Sequence, residues 1–151
     1  MYAEEARRKF WDTLRDVVKE EGNPFYFTEN KQWAIINKPT ANYHDPCVAV
    51  DFLWRDEILR INVYIEDNVF LYEDLRERKE EIESRLTFRC MWKENSFLTN
   101  GGKAKFNGTN TRRIEVDIPF DNHFLDFRAL AKKAVPIVKR FVEVFREDII
   151  C

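Results

Sequence analysis

The stretch that decides the fold is Cys47-Val48-Ala49-Val50-Asp51-Phe52-Leu53-Trp54-Arg55-Asp56-Glu57-Ile58-Leu59-Arg60-Ile61-Asn62-Val63-Tyr64-Ile65-Glu66. Val48, Val50, Phe52 and Trp54 recur at every second position. Leu59, Ile61, Val63 and Ile65 do the same after a polar break at Arg55-Asp56-Glu57. Two adjacent runs with period two predict a β-hairpin with one apolar face. Asp51, Arg60, Asn62, Tyr64 and Glu66 then fall on the other face.

Working towards the N-terminus, Trp33-Ala34-Ile35-Ile36 reads as a short strand. Residues 3–21 read as an amphipathic helix, with Ala6, Phe10, Leu14, Val17 and Val18 on one side. Glu4 and Glu5 suit the positive end of its dipole, and Gly22-Asn23-Pro24 stops it. Lys38 to Asn42 and His44-Asp45-Pro46 carry loop chemistry.

Working towards the C-terminus, residues 68–85 read as a second helix with a narrow stripe of Leu71, Leu75, Ile82 and Leu86. An Asp74–Arg78 pair supports it at four-residue spacing. Residues 87–93 and 112–118 read as two strands joined by a polar loop, where Asn100-Gly101 and Asn107-Gly108 are tight-turn signals. Residues 123–149 form a long helix with a broad apolar face, in which Pro136 predicts a kink or two abutting helices. The order αβββαββα predicts an α+β fold: a mainly antiparallel five-stranded sheet with helices packed on one face, as a single domain over residues 1–151.

The chain of 151 residues is 44% hydrophobic and 15% aromatic, with 13 phenylalanines, which is ample for a packed core. Its 25 basic and 27 acidic residues leave a net charge of −2. There is therefore no bulk attraction to nucleic acid or anionic lipid, and any such contact has to come from a local patch. Cys47, Cys90 and Cys151 are odd in number and widely spaced, as reduced thiols in a cytoplasmic protein would be. No leader-like segment opens the chain. No apolar run approaches the roughly 20 residues that span a bilayer, so no membrane contact is expected.

Motifs for catalysis are incomplete. His44-x-x-Cys47 is half of a metal-ligand pattern with no second half. Ser84 and Ser96 lack a nucleophile elbow. Gly101-Gly102-Lys103 has the letters of a phosphate loop but the context of a strand-to-strand connection. The element order also matches restriction-endonuclease-like nucleases, which hold Mg²⁺ with an Asp on one strand and an Asp/Glu-x-Lys on the next. Asp51 supplies the first acid, whereas Glu66-Asp67-Asn68 lacks the lysine. The chain is thus at most a degenerate nuclease of this type. No catalytic residue, cofactor or metal is expected.

The outward sheet face is the remaining candidate surface. Alternation places Arg60, Tyr64, Arg89 and Arg113 there, a set suited to stacking and neutralising single-stranded nucleic acid. The same face carries Asp51, Glu66, Lys93, Glu115 and Asp117. Cross-strand ion pairs on a solvated surface account for that mixture without a ligand.

Lys9-Phe10-Trp11-Asp12-Thr13-Leu14, Arg60-Ile61-Asn62-Val63-Tyr64-Ile65-Glu66-Asp67, and Lys79-Glu80-Glu81-Ile82-Glu83-Ser84-Arg85-Leu86 followed by Met91-Trp92 occur in this order. Together they resemble the opening helix, central strand, middle helix and next strand of a bacterial domain-of-unknown-function family. The resemblance implies a small bacterial cytoplasmic domain, found alone or C-terminal to nuclease-like regions. It implies no established activity and supplies no catalytic residues. Taken with the incomplete catalytic motifs, it leads to the expectation of a non-enzymatic interaction module with a protein partner, accessory to DNA-handling or defence systems. Direct nucleic-acid binding is the alternative. The sequence leaves the oligomeric state open.

Overall fold

The hairpin sits at the centre of a six-stranded sheet. The computed structural model describes residues 1–41, 45–94 and 111–149. Its elements are α1 (Ala3–Glu20), β1 (Phe27–Asn30), β2 (Trp33–Ile36), β3 (Cys47–Leu53), β4 (Ile58–Glu66), α2 (Val69–Glu77), α3 (Lys79–Leu86), β5 (Met91–Glu94), β6 (Thr111–Pro119) and α4 (Phe127–Val144). The strand order is β1-β2-β3-β4-β6-β5, with every neighbouring pair antiparallel. Helices α2 and α3 carry the chain from β4 to the far edge, and β6 returns between β4 and β5.

The α+β class and the one-sided packing of helices agree with the sequence reading; the strand count does not. The additional strand is β1, which folds back onto β2 through Lys31-Gln32, with Phe27 opposite Ile36. Lys31 takes φ 57, a left-handed conformation that closes the tight turn. Phe27-Thr28-Glu29-Asn30 is too short and too polar to show alternation.

The expected helix over 68–85 is two helices meeting at Arg78. The Arg78 Nη2 donates to Oδ2 of Asp74 at 3.1 Å and to Oδ1 of Asp148 at 2.7 Å, tying the junction to the segment after α4. The break lets Tyr72 and Leu75 of α2 and Ile82 and Leu86 of α3 all reach the core. Thr87 then ends α3 in a left-handed conformation, so the next strand begins at Met91 rather than at 87. Helix α4 continues through Pro136 without dividing in two. Pro136 is on the solvent side, where water can satisfy the Lys132 carbonyl that lacks an N–H partner. The expected loop over 94–111 lies, from residue 95 to 110, outside the described residues.

The core lies between the helices and the inward residues of the hairpin: Val48, Val50, Phe52, Leu59, Ile61, Val63 and Ile65. Phe52 is its aromatic hub, stacking on Phe10 of α1 at 4.6 Å and on Phe120 at 5.3 Å between ring centroids. Burial of one such ring stabilises the fold by about 1.5–3 kcal/mol. Ile35, Cys47 and Ala49 form a smaller apolar cluster on the opposite face, flanked by Trp33, Ala41 and Tyr64.

Candidate functional site

Antiparallel register determines which side chains share the helix-free face. Asp51 of β3, Arg60 of β4 and Asp117 of β6 lie in one row. Ala49, Asn62, Glu115 and Met91 form the next, and Cys47, Tyr64, Arg113 and Lys93 the one after. Directly opposed residues point the same way, so three of the four candidate nucleic-acid contacts, Arg60, Tyr64 and Arg113, come together. Arg89 is exposed but lies outside the strand, two residues before β5.

The centre of this face is buried rather than solvated. Glu115 and Asn62 are 0% exposed and Asp51 is 6% exposed. Arg60 Nε lies 2.8 Å from Oε2 of Glu115 and 3.1 Å from Oδ1 of Asp117. Lys93 Nζ approaches the same Glu115 oxygen at 3.5 Å. The Asn62 amide donates to the Ala49 carbonyl at 3.2 Å and to Oδ2 of Asp51 at 3.4 Å. The cross-strand pairs expected from the charge pattern are therefore present.

The partners of the central pair titrate differently. Burial opposes the charge on Arg60, but Asp117, Glu115 and Asp51 outweigh it and raise its pKa. Burial pushes the Glu115 carboxyl up; Arg60 pulls it back, and the hydrogen bond with Asp117 pushes it up again, leaving it raised. Arg60 is thus held in its charged form, while the Glu115 carboxyl takes up a proton more readily than a free glutamate does.

Beside this cluster, Tyr64 donates its hydroxyl to Oε1 of Glu66 at 3.2 Å. The Arg113 guanidinium lies 5.5 Å from the Tyr64 ring centroid, within cation–π range. Burial is the main cause that raises the Tyr64 pKa. The two acids proposed for a nuclease centre do not converge. Asp51 is opposite Arg60, and Glu66 lies further along β4 by about 20 Å at the rise of a strand. Among the described residues no group of three His, Cys, Asp or Glu side chains is placed to hold a metal. His123 is exposed, with Nδ1 3.4 Å from Oδ1 of Asp121. Cys47 is buried and Cys90 half-buried. His44, Ser96, the Gly101-Gly102-Lys103 triplet and Cys151 lie outside the described residues.

A second surface was not anticipated from the sequence. Two adjoining concavities, of about 490 and 470 Å³, share Glu4 and Arg7 as lining and so form one groove. Its walls are the first turns of α1, the β1–β2 turn at Lys31 and Gln32, and the β3–β4 turn at Trp54 to Asp56. Tyr2 is 85% exposed at its mouth. Trp54 is anchored in the core by stacking on Phe127 at 6.4 Å and by contact with Phe52 and Phe120. Arg7, Lys31 and Arg55 make no ion pair among the described residues. The lining residues come from three separate parts of the chain, so no local motif announces the groove.

No family model and no curated protein matches this chain. Among solved structures, it is similar to the crystal structure of YbjN from E. coli, a proposed transcription regulator. The TM-score is 0.48 and the identity 13%, over 91% of this chain and 89% of that one. Among the described residues no helix is long and apolar enough to cross a membrane.

Proposed function

We propose that this protein is a non-enzymatic interaction module that docks a protein partner in the groove between α1 and the two hairpin turns. The observation that carries this reading is the combination, in that groove, of aromatic side chains with cations that make no ion pair among the described residues. Trp54, held by its ring contacts with Phe52, Phe120 and Phe127, and the exposed Tyr2 supply aromatic contact area, which partner surfaces favour. Arg7, Lys31 and Arg55 leave charge available to a partner. The family resemblance in α1, β4 and α3 adds the expectation of a bacterial cytoplasmic setting and an accessory role in DNA handling or defence.

The test is affinity enrichment from an extract of the source organism, using wild type, Tyr2→Ser and Arg55→Glu. These side chains are at the surface, so the variants are expected to fold. A specific partner retained by wild type and lost by both variants is the expected result. Metal-dependent cleavage of DNA or RNA by the purified protein, abolished by Asp51→Ala, would overturn it.

The second reading is direct nucleic-acid binding through Arg60, Tyr64, Arg89 and Arg113. The Arg113–Tyr64 cation–π pair favours it, because it offers a cation and a ring side by side. The pairing of Arg60 with Glu115 and Asp117 weighs against it, since that charge is already neutralised. Anisotropy of labelled single- and double-stranded DNA and RNA at two salt concentrations separates the readings. Salt-sensitive binding lost in Arg113→Glu supports this one.

A further inference from the structure

We infer that the groove takes an extended, acidic peptide segment, with an apolar side chain of the partner seated against Trp54 and carboxylates reaching Arg7, Lys31 and Arg55. The inference rests on the interaction-module reading and adds the chemistry of the partner. The shape supports it first. Two adjoining concavities that share Glu4 and Arg7, and are otherwise lined by different residues, suit an elongated ligand rather than one compact molecule.

Charge supports it second. Three acids also line the groove: Glu4, Glu29 and Asp56. Glu4 is paired with Arg8 at 3.6 Å, and Glu29 is held by Arg15. Among the described residues that line it, the remaining charges are three cations, Arg7, Lys31 and Arg55, against Asp56. A protein of net charge −2 therefore presents a local positive excess here. Complementary charge steers association and selects the partner.

Asp56, the acid left over in that count, argues for a peptide over a nucleic acid. A phosphate backbone carries a charge at every nucleotide and would meet Asp56 beside Arg55 and Trp54. A peptide can place carboxylates only where the cations stand. Trp54 is held by rings on its core side, so its outer edge is a fixed anchor point for an apolar side chain.

The experiment is fluorescence anisotropy with three labelled probes at low and high salt. They are a peptide alternating glutamate with leucine or tryptophan, its lysine counterpart, and a single-stranded oligonucleotide. The proteins are wild type, an Arg7→Glu/Lys31→Glu/Arg55→Glu triple variant, the triple Gln variant at the same positions, and Arg113→Glu as a control on the sheet face. The acidic peptide is expected to bind saturably, and to weaken about tenfold or more in the triple Glu variant if each contact contributes as a surface pair does. Binding should weaken with salt, fall to a smaller extent in the Gln variant and stay unchanged in Arg113→Glu. Absence of saturable binding by the acidic peptide overturns the inference. So does equal affinity for the lysine peptide, tighter oligonucleotide binding with the same groove dependence, or an equal loss in Arg113→Glu. If enrichment finds a partner that depends on Tyr2 and Arg55 while the acidic peptide does not bind, the acidic assignment falls and the interaction module stands. If neither binds, both fall.

Discussion

Arg60 of β4 places its Nε 2.8 Å from Oε2 of Glu115 on β6, and Glu115 has no solvent exposure. A carboxylate buried this far needs its cation, because an unpaired charge in the interior costs several kcal/mol. The pair closes the middle of the sheet face by neutralising two neighbouring strands against each other.

Arg60→Met is therefore expected to destabilise the protein by about 3 kcal/mol, since it strands Glu115 and Asp117 together. Combined with Glu115→Gln, the loss should be smaller than the sum of the single effects, with a coupling of about 1–3 kcal/mol. Urea unfolding of the four proteins measures it. Strict additivity would show that the two side chains do not interact.

The raised pKa of Glu115 predicts a pH dependence of stability. The group takes up a proton more readily in the folded chain than in the unfolded one, where a glutamate titrates near about 4.3. Its stabilising contribution is complete below the unfolded value and is lost as pH rises through the folded value. Glu115→Gln cannot ionise, so it escapes that loss. The stability of the variant relative to wild type should rise as the pH increases from about 4.3, the unfolded value, through the raised folded value. Unfolding curves across that range check this, and a constant difference would contradict it.

Pro136 sits inside α4 and faces solvent. Replacement by alanine restores a helix N–H for the Lys132 carbonyl and removes the ring without loss of core packing. Pro136→Ala is expected to stabilise the protein by up to about 3 kcal/mol. A shift of the thermal midpoint upward would show it, whereas an unchanged or lowered midpoint would mean that the helix is already adapted to the proline.

The Cys90 thiol is pushed up to about 12, chiefly by burial and then by the nearby Glu83 carboxylate. At pH 8 its thiolate fraction is lower than that of a free cysteine by on the order of a thousandfold. Alkylation of Cys90, followed by mass spectrometry, should be correspondingly slow in the native protein and fast in urea. Rapid native alkylation would mean an accessible, ionised thiol.

Much of this architecture is legible without coordinates, because alternation and helical spacing are local. The runs from Val48 to Trp54 and from Leu59 to Ile65 specify β3 and β4, and the Ala6–Phe10–Leu14 stripe specifies α1. The strand β1 is not legible, since four half-polar residues acquire strand character only by pairing with β2. The break at Arg78 is hidden for a similar reason: its partner Asp148 is distant in the chain and becomes a neighbour only when α4 has docked.

The candidate sites divide in the same way. The sequence by itself determined that Arg60, Tyr64, Asn62, Glu115 and Asp117 share one side of a sheet, because side chains alternate along a strand. It could not determine that Glu115 and Asn62 are buried there, as burial depends on what lies across and above the strands. Only the tertiary structure brought Tyr2 and Arg7, Lys31, and Trp54 and Arg55 around one groove. Helix packing and two hairpin turns set that geometry, and neither leaves a pattern in the order of the residues.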